Sequence, residues 1–153
     1  MSAVVAPAGG VLAVIRASVF WVWQILVTLV LGPPVLIAGL ISYDLAYPVA
    51  VTWIRANVYG LRIICGVSWR VEGRENIPDT PCVILCKHQS TWETYFLAML
   101  FYPAVYVAKR SLGRIPIFGW ALHLLDFILI DRKAGRSAIS QMVQQARDRL
   151  DKR

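Results

Sequence analysis

The feature that most constrains this chain is one apolar stretch near its amino terminus. From Val11 to Leu31 the polar side chains are Arg16, Ser18, Gln24 and Thr28 alone. A stretch of that length can cross a hydrocarbon core, which takes about 20 helical residues. Before Trp69 the charged residues are Arg16, Asp44, Arg55 and Arg62; every other Lys, Arg, Asp and Glu of a chain with net charge +7 comes later. The sequence therefore divides into a membrane-like helical region, residues 1–66, and a more polar region, residues 67–153.

The apolar region reads as two pieces. Trp21 and Trp23 suit a membrane interface. Gly32-Pro33-Pro34 is expected to end the first helix, because proline lacks an N–H and restricts the residue before it. A second apolar stretch, Val35 to Ile54, is interrupted by Asp44 and Pro48 and continues past Arg55 and Arg62 to Cys65. It suits a re-entrant or interfacial helix with its basic residues at the lipid surface. A signal peptide is the competing reading. Against it, no Lys or Arg precedes Arg16 and the run exceeds a usual signal core. A buried helix of a soluble protein is the third. Hydrophobic residues make up 58% of the chain, too many for an ordinary soluble domain of this length. Lys and Arg gather after the apolar region, which places residues 67–153 in the cytoplasm by the positive-inside tendency.

The polar region alternates strand and helix patterns. Val67 to Gly73 alternates as a half-buried strand does, and Asn76 to Pro81 is a turn. Cys82-Val83-Ile84-Leu85-Cys86 is a continuous apolar run, as in a strand covered on both faces. Thr91 to Phe101 reads as helix, Ala104 to Lys109 as strand, Trp120 to Leu125 as a short helix and Phe127 to Ile130 as strand. A last helix, Ser137 to about Leu150, has Ile139, Met142, Val143, Ala146 and Leu150 at helical spacing. The expected fold class is α/β, a largely parallel sheet with flanking helices.

Chemistry concentrates where the Cys82–Cys86 run ends. His88, Ser90, Thr91 and Glu93 bring a base, two hydroxyls and a carboxylate within six residues. On one continuous helix His88 and Glu93 would point about 140° apart. They can meet if His88 lies in the turn before a helix and Glu93 in its first turn, with Ser90 or Thr91 as N-cap. Ser90-Thr91-Trp92-Glu93 also matches a capping box, which would give Glu93 a purely structural role. Cys65, Cys82 and Cys86 form an odd count and no disulfide framework, and with His88 they match no common zinc spacing. His123 reads as packing or surface. Gly113, Gly119 and Gly135 are isolated and make no phosphate loop. The basic excess accompanies no nucleic-acid motif and fits anionic lipid better.

Taken together these residues resemble the glycerolipid acyltransferase family, most closely its bacterial 1-acyl-glycerol-3-phosphate branch. The family's first motif, His-x4-Asp after a short apolar strand, reads here His88-Gln89-Ser90-Thr91-Trp92-Glu93. The connecting pattern, a Lys, a Leu and an Ile-Pro-x-x-Gly loop, reads Lys109, Leu112 and Ile115-Pro116-Ile117-Phe118-Gly119. The second motif, an apolar strand ending in Asp-Arg, reads Phe127-Ile128-Leu129-Ile130-Asp131-Arg132. The approach Val71 to Pro78 is also typical. Two residues depart from the pattern: Glu93 stands where the family has Asp, and Asp126 where the second motif begins with Gly. The third motif, Phe-Pro-Glu-Gly-Thr-Arg, and the fourth do not occur before Arg153. The resemblance thus implies the amino-terminal part of a longer enzyme with the glycerol-3-phosphate acyltransferase-like fold, inactive as this part alone.

The resemblance also implies a reaction. An acyl chain passes from a thioester, acyl-carrier protein or coenzyme A, to the free sn-2 hydroxyl of 1-acyl-glycerol-3-phosphate, giving phosphatidic acid. His88 would be general base and Glu93 its carboxylate partner. Lys109 and Arg132 would bind the acceptor phosphate, against the alternative of a solvated basic surface. No cofactor and no metal are implied. The partners are the lysophospholipid, the thioester donor and membrane lipid, without nucleic acid, at the bacterial inner membrane. Two alternatives stand beside this: another lyso-lipid acceptor such as a lyso-ornithine lipid, and a non-catalytic membrane-attached scaffold.

Overall fold

The fold comes from a computed structural model that describes residues 2–5, 10–87 and 89–151. Its amino-terminal part is a helical hairpin. Helix α1 spans Val11–Ile41 and helix α2 spans Tyr43–Cys65. Ser42 makes the joint. Its extended backbone ends α1, and its hydroxyl accepts from the Leu45 N–H to cap α2, with Asp44 in the favourable first turn. The helices run antiparallel. The Trp53 indole N–H donates to Thr28 Oγ1 at 3.0 Å, Trp23 Nε1 donates to the Ala56 carbonyl at 3.2 Å, and Cys65 Sγ lies 3.8 Å from the Arg16 carbonyl. Gly60 leaves room for the Trp23 ring, which a Cβ there would strike.

The expected break at Gly32-Pro33-Pro34 does not occur; α1 runs through both prolines. The ring fixes φ near the helical value, so what proline removes is the N–H and the clearance around the preceding turn, a cost of about 3 kcal/mol or more in a helix interior. Burial on either side offsets it. Gly32 receives Ile117 Cγ2 where its own Cβ would sit, and Val35 is buried against Ala46, Tyr47, Ala50 and Val51 of α2. The break falls instead at the residue that can cap the next helix.

Helix α2 is the spine of the molecule. Its first half packs with Val35 and Leu125; its second half packs Val58 against Val67, Trp92, Tyr95 and Phe96. Strand β1, Ser2–Val5, pairs antiparallel with β2, Val67–Arg70, in the register Ser2↔Arg70 to Val5↔Val67. β2 has the anticipated alternating burial but ends three residues before Gly73. Helix α3, Thr91–Leu100, lies on α2 through its aromatic face. Strands β3, Val107–Lys109, and β4, Ile128–Ile130, pair in parallel, with helix α4, Phe118–Leu124, between them in sequence. Helix α5, Arg136–Asp151, closes the described chain.

The result is a mostly helical domain with a small parallel sheet. The Cys82–Cys86 run is not a strand; it is exposed coil, and Leu85 is 94% exposed. A strand needs a hydrogen-bonding neighbour as well as a suitable sequence, and among the described residues none lies alongside this run.

Candidate active site

The turn into α3 is set by its cap. Ser90 is extended, at φ −152°, and forms a capping box with Glu93 at N3. Glu93 Oε2 accepts from the backbone N–H of Gln89 at 2.7 Å and of Ser90 at 3.3 Å. The structural role foreseen for Glu93 is therefore real. Both of these bonds fall on one of its two oxygens. His88 lies outside the described residues. In sequence it stands two residues before the cap.

Packing holds this turn in place. Trp92, Tyr95 and Phe96 are buried, with Phe96 only 1% exposed. The Trp92 and Phe96 rings stack at 4.8 Å, and Trp53 of α2 meets Tyr95 edge-on at 5.3 Å. Gln24 of α1 donates its side-chain N–H to the Tyr95 phenol. Burial pushes that phenol's pKa up, while the Gln24 bond pulls the other way.

The second motif sits at the carboxyl ends of paired strands, where parallel sheets place ligand sites. Lys109 is in register with Ile130, so Asp131 and Arg132 follow immediately beyond it. The Asp131 carboxylate accepts from the Lys133 N–H at 3.0 Å and opens the 3-10 turn Arg132–Ala134. Lys109 and Arg132 are both exposed. The structure thus brings these two cations to neighbouring strand ends.

Tyr106 ties the two motifs together. Its hydroxyl donates to the Thr94 carbonyl at 2.9 Å, one residue past Glu93. Burial pushes the Tyr106 pKa well above the tyrosine range, and Tyr47 and Cys86 act in the same direction. Lys109 lies three residues farther, about 10 Å along a strand. Tyr106 was not singled out from the sequence, nor was Gln24. Gln24, Thr28 and Gly32 recur every four residues in α1, and that polar and small stripe is the signal for the face that meets the rest of the domain.

Asp126 explains one departure from the family pattern. It has φ 61°, the left-handed region that glycine occupies at least cost and Asp better than most. Its carbonyl accepts from Arg149 Nε at 3.3 Å, and its carboxylate lies 3.3 Å from Arg149 Nη2.

Two concavities flank these residues. The larger, about 500 Å³, is polar and includes Arg110, His123, Asp131, Gln141 and Gln145. The smaller, about 110 Å³, is apolar and lies between the hairpin and helices α3 and α4. Thr94 and Tyr106 border the smaller one, so it is the cavity beside the Glu93 turn, despite its size. His123 is exposed, and its ring lies where a Cβ on Gly113 would sit, in keeping with packing. Among the described residues no cluster of His, Cys, Asp and Glu could hold a metal.

Comparison with known proteins gives one consistent result. The family model described as Acyltransferase matches residues 68–153, more than half of the chain. A 1-acyl-sn-glycerol-3-phosphate acyltransferase of Pseudomonas aeruginosa is 44% identical over 117 residues, covering 76% of this chain and 46% of that protein. One from Chlamydomonas reinhardtii is 32% identical over 151 residues, covering 91% of this chain and 43% of that protein. Lysocardiolipin acyltransferase 1 of Danio rerio is 30% identical over 104 residues, covering 63% and 27%. The chain spans just under half the length of the first two relatives. No solved structure matches it. With its motifs in family order and the family model over its polar part, the chain belongs to the acyltransferase family.

Proposed function

We propose that this chain carries the amino-terminal part of a 1-acyl-glycerol-3-phosphate acyltransferase centre, with residues 67–153 catalytic and residues 1–66 membrane-attached. The observation that carries it is the α3 cap, which fixes Glu93 in the first turn, three residues past Ser90 and five past His88. In the reaction the acceptor hydroxyl oxygen attacks the thioester carbonyl carbon. His88 removes the hydroxyl proton, the carbon–sulfur bond breaks and the thiol leaves with a proton. A positioned His contributes about 10²–10⁴-fold to such a step. The Glu93 carboxylate orients the imidazole and stabilises its cation. Lys109 and Arg132 hold the acceptor phosphate, the ammonium as a point charge and the guanidinium as a paired donor. The alcohol is itself the nucleophile, so the chemistry calls for no acyl-enzyme and no cofactor. The apolar cavity beside Thr94 suits acyl methylenes. The finer fold assignment, a glycerol-3-phosphate acyltransferase-like parallel sheet, belongs to this reading too.

Attachment follows from α1, which is long and apolar enough to cross a membrane and leaves Val30, Ile37 and Leu40 exposed. Basic residues in the following region favour the cytoplasmic side of a bacterial inner membrane.

The test is acyl transfer to 1-acyl-glycerol-3-phosphate in membranes containing this chain within the full-length enzyme, with acyl-carrier protein and coenzyme A thioesters compared. His88→Ala is expected to abolish turnover without releasing the protein from membranes. Glu93→Gln keeps a capping side chain, so it should lose most activity at nearly unchanged melting temperature. Normal turnover by His88→Ala overturns the general-base role. Product identification separates this acceptor from a lyso-lipid without phosphate.

A further inference from the structure

Between the end of β3 and the middle of α4 the chain exposes basic and large apolar side chains side by side. Lys109, Arg110 and Arg114 are exposed, and so are Leu112, Ile115 and Trp120. No Asp or Glu occurs from Thr94 to Leu125, so nothing on this segment neutralises its cations. Gly113 and Gly119 bring the two arms of the segment into backbone contact; a Cβ on Gly119 would come within 2.5 Å of the Gly113 carbonyl. The exposed side chains therefore project from a compact base.

Helix α4 sets this segment against α1. Ile117 fills the place of a Cβ on Gly32, and Leu124 fills that of Gly39. Both spacings are seven residues, so α4 and this part of α1 run side by side in the same direction. On α4 Trp120 points within about 40° of Leu124. It lies on the side that meets α1, yet it is 54% exposed. On α1 the exposed Leu29 and Leu40 stand about 60° and 80° round from Gly32, so exposed apolar side chains of α1 border the junction with α4. Tryptophan, isolated aliphatic side chains and interleaved arginines form the composition of a membrane interface.

We propose that the segment from Lys109 to Trp120 is a second membrane contact, distinct from α1. Leu112, Ile115 and Trp120 enter the headgroup layer, and Arg110 and Arg114 pair with anionic phospholipid headgroups. The proposal rests on the reading that α1 lies in the bilayer. Lipid is favoured over an acidic protein because the apolar members border an apolar helix. The contact would also set the neighbouring Lys109 at headgroup level, where a phosphate-bearing lipid substrate resides.

The test uses the full chain in phosphatidylcholine vesicles, with and without phosphatidylglycerol. Spin labels are placed by Ile115→Cys, with Leu112→Cys as a second site, and by Val30→Cys in α1, each with Cys65, Cys82 and Cys86 changed to Ser. Collision with oxygen and with a water-soluble nickel complex reads their depth. The Val30 label is expected in lipid in both vesicles, and the labels at 115 and 112 in the headgroup layer where phosphatidylglycerol is present. Arg110→Glu with Arg114→Glu should return them to water and leave the Val30 label unmoved. Labels at 115 and 112 that stay aqueous while the Val30 label is in lipid overturn the proposal and turn attention to an acidic protein. Labels that remain in lipid after charge reversal overturn the headgroup pairing. An aqueous Val30 label overturns the membrane reading of α1, and this proposal with it.

Discussion

Two short apolar runs in this molecule have nearly the same character and opposite fates. Phe127-Ile128-Leu129-Ile130 contains a strand, paired in parallel with β3, and Ile128 is 3% exposed. Cys82-Val83-Ile84-Leu85-Cys86 is exposed coil, although it leads directly to the first motif. Lys109 and Arg132 consequently stand at the ends of paired strands, whereas the first motif is held from its other side, by the cap and aromatic face of α3. A β-prone run becomes a strand only where a neighbour supplies hydrogen bonds and cover, since measured β-propensity is mostly packing against neighbours.

Truncation tests that contrast most strongly. Ile128→Ala is expected to cost about 2–5 kcal/mol, as for other buried aliphatic truncations. Leu85→Ala should stay within about 0.5 kcal/mol, as at exposed positions. Denaturant unfolding in detergent measures both. A large loss from Leu85→Ala would mean that the run is packed in solution and that the contrast fails.

The loop and helix that precede β4 give a smaller effect. Gly119→Ala drives a methyl into the Gly113 and Leu112 carbonyls. Overpacking of this kind costs about 1–3 kcal/mol. The same measurement with Gly135→Ala is a useful control for crowding, because a Cβ there meets nothing within 4 Å. Its φ of 55° leaves backbone strain as the sole source of loss.

Asp126 sharpens the account of how β4 begins. Both Asp126→Ala and Asp126→Gly lose the carboxylate contact with Arg149 and keep the carbonyl one, but only alanine must hold φ 61° with a Cβ. Alanine should therefore be less stable than glycine by roughly 1 kcal/mol. Equal stability of the two would show that the left-handed backbone is not what this position requires.

Tyr106 gives the smallest effect and joins the two regions. Tyr106→Phe removes one hydrogen bond to Thr94, worth about 0.5–1.5 kcal/mol. The phenol's pKa is raised on folding, with burial as the main cause. Its contribution is therefore fully present below the unfolded value of about 10 and is lost as pH rises beyond it. The wild-type protein should lose stability above about pH 10, and Tyr106→Phe should flatten that limb. Tyr95, shifted in the same direction, adds to the same limb in both proteins.

Local patterns carried much of this in advance. The start of α1 was legible in its apolar run, the start of α3 in Ser90 and Glu93, and α5 in its helical spacing; each depends on contacts within a few residues or on one face. The capping reading of Glu93 was legible too, and its cap bonds fall on one of its two oxygens. The chain order of Lys109, the Ile-Pro loop and Asp131-Arg132 was sufficient to suggest the family.

Other features were settled only by tertiary contact. The sequence alone marked the Pro33-Pro34 site as the helix break, but burial of Gly32 and Val35 outweighs the lost backbone bonds, and Ser42 makes the joint instead. Local pattern could not distinguish the Cys82–Cys86 run from β4, because pairing is a property of two segments. Nor could it reveal that Asp126 takes a glycine's conformation while Arg149, 23 residues later, holds it by its carbonyl and carboxylate. The physical reason is the same in each case: short-range chemistry selects what a segment can become, and the energy that selects among those options comes from residues distant in the chain.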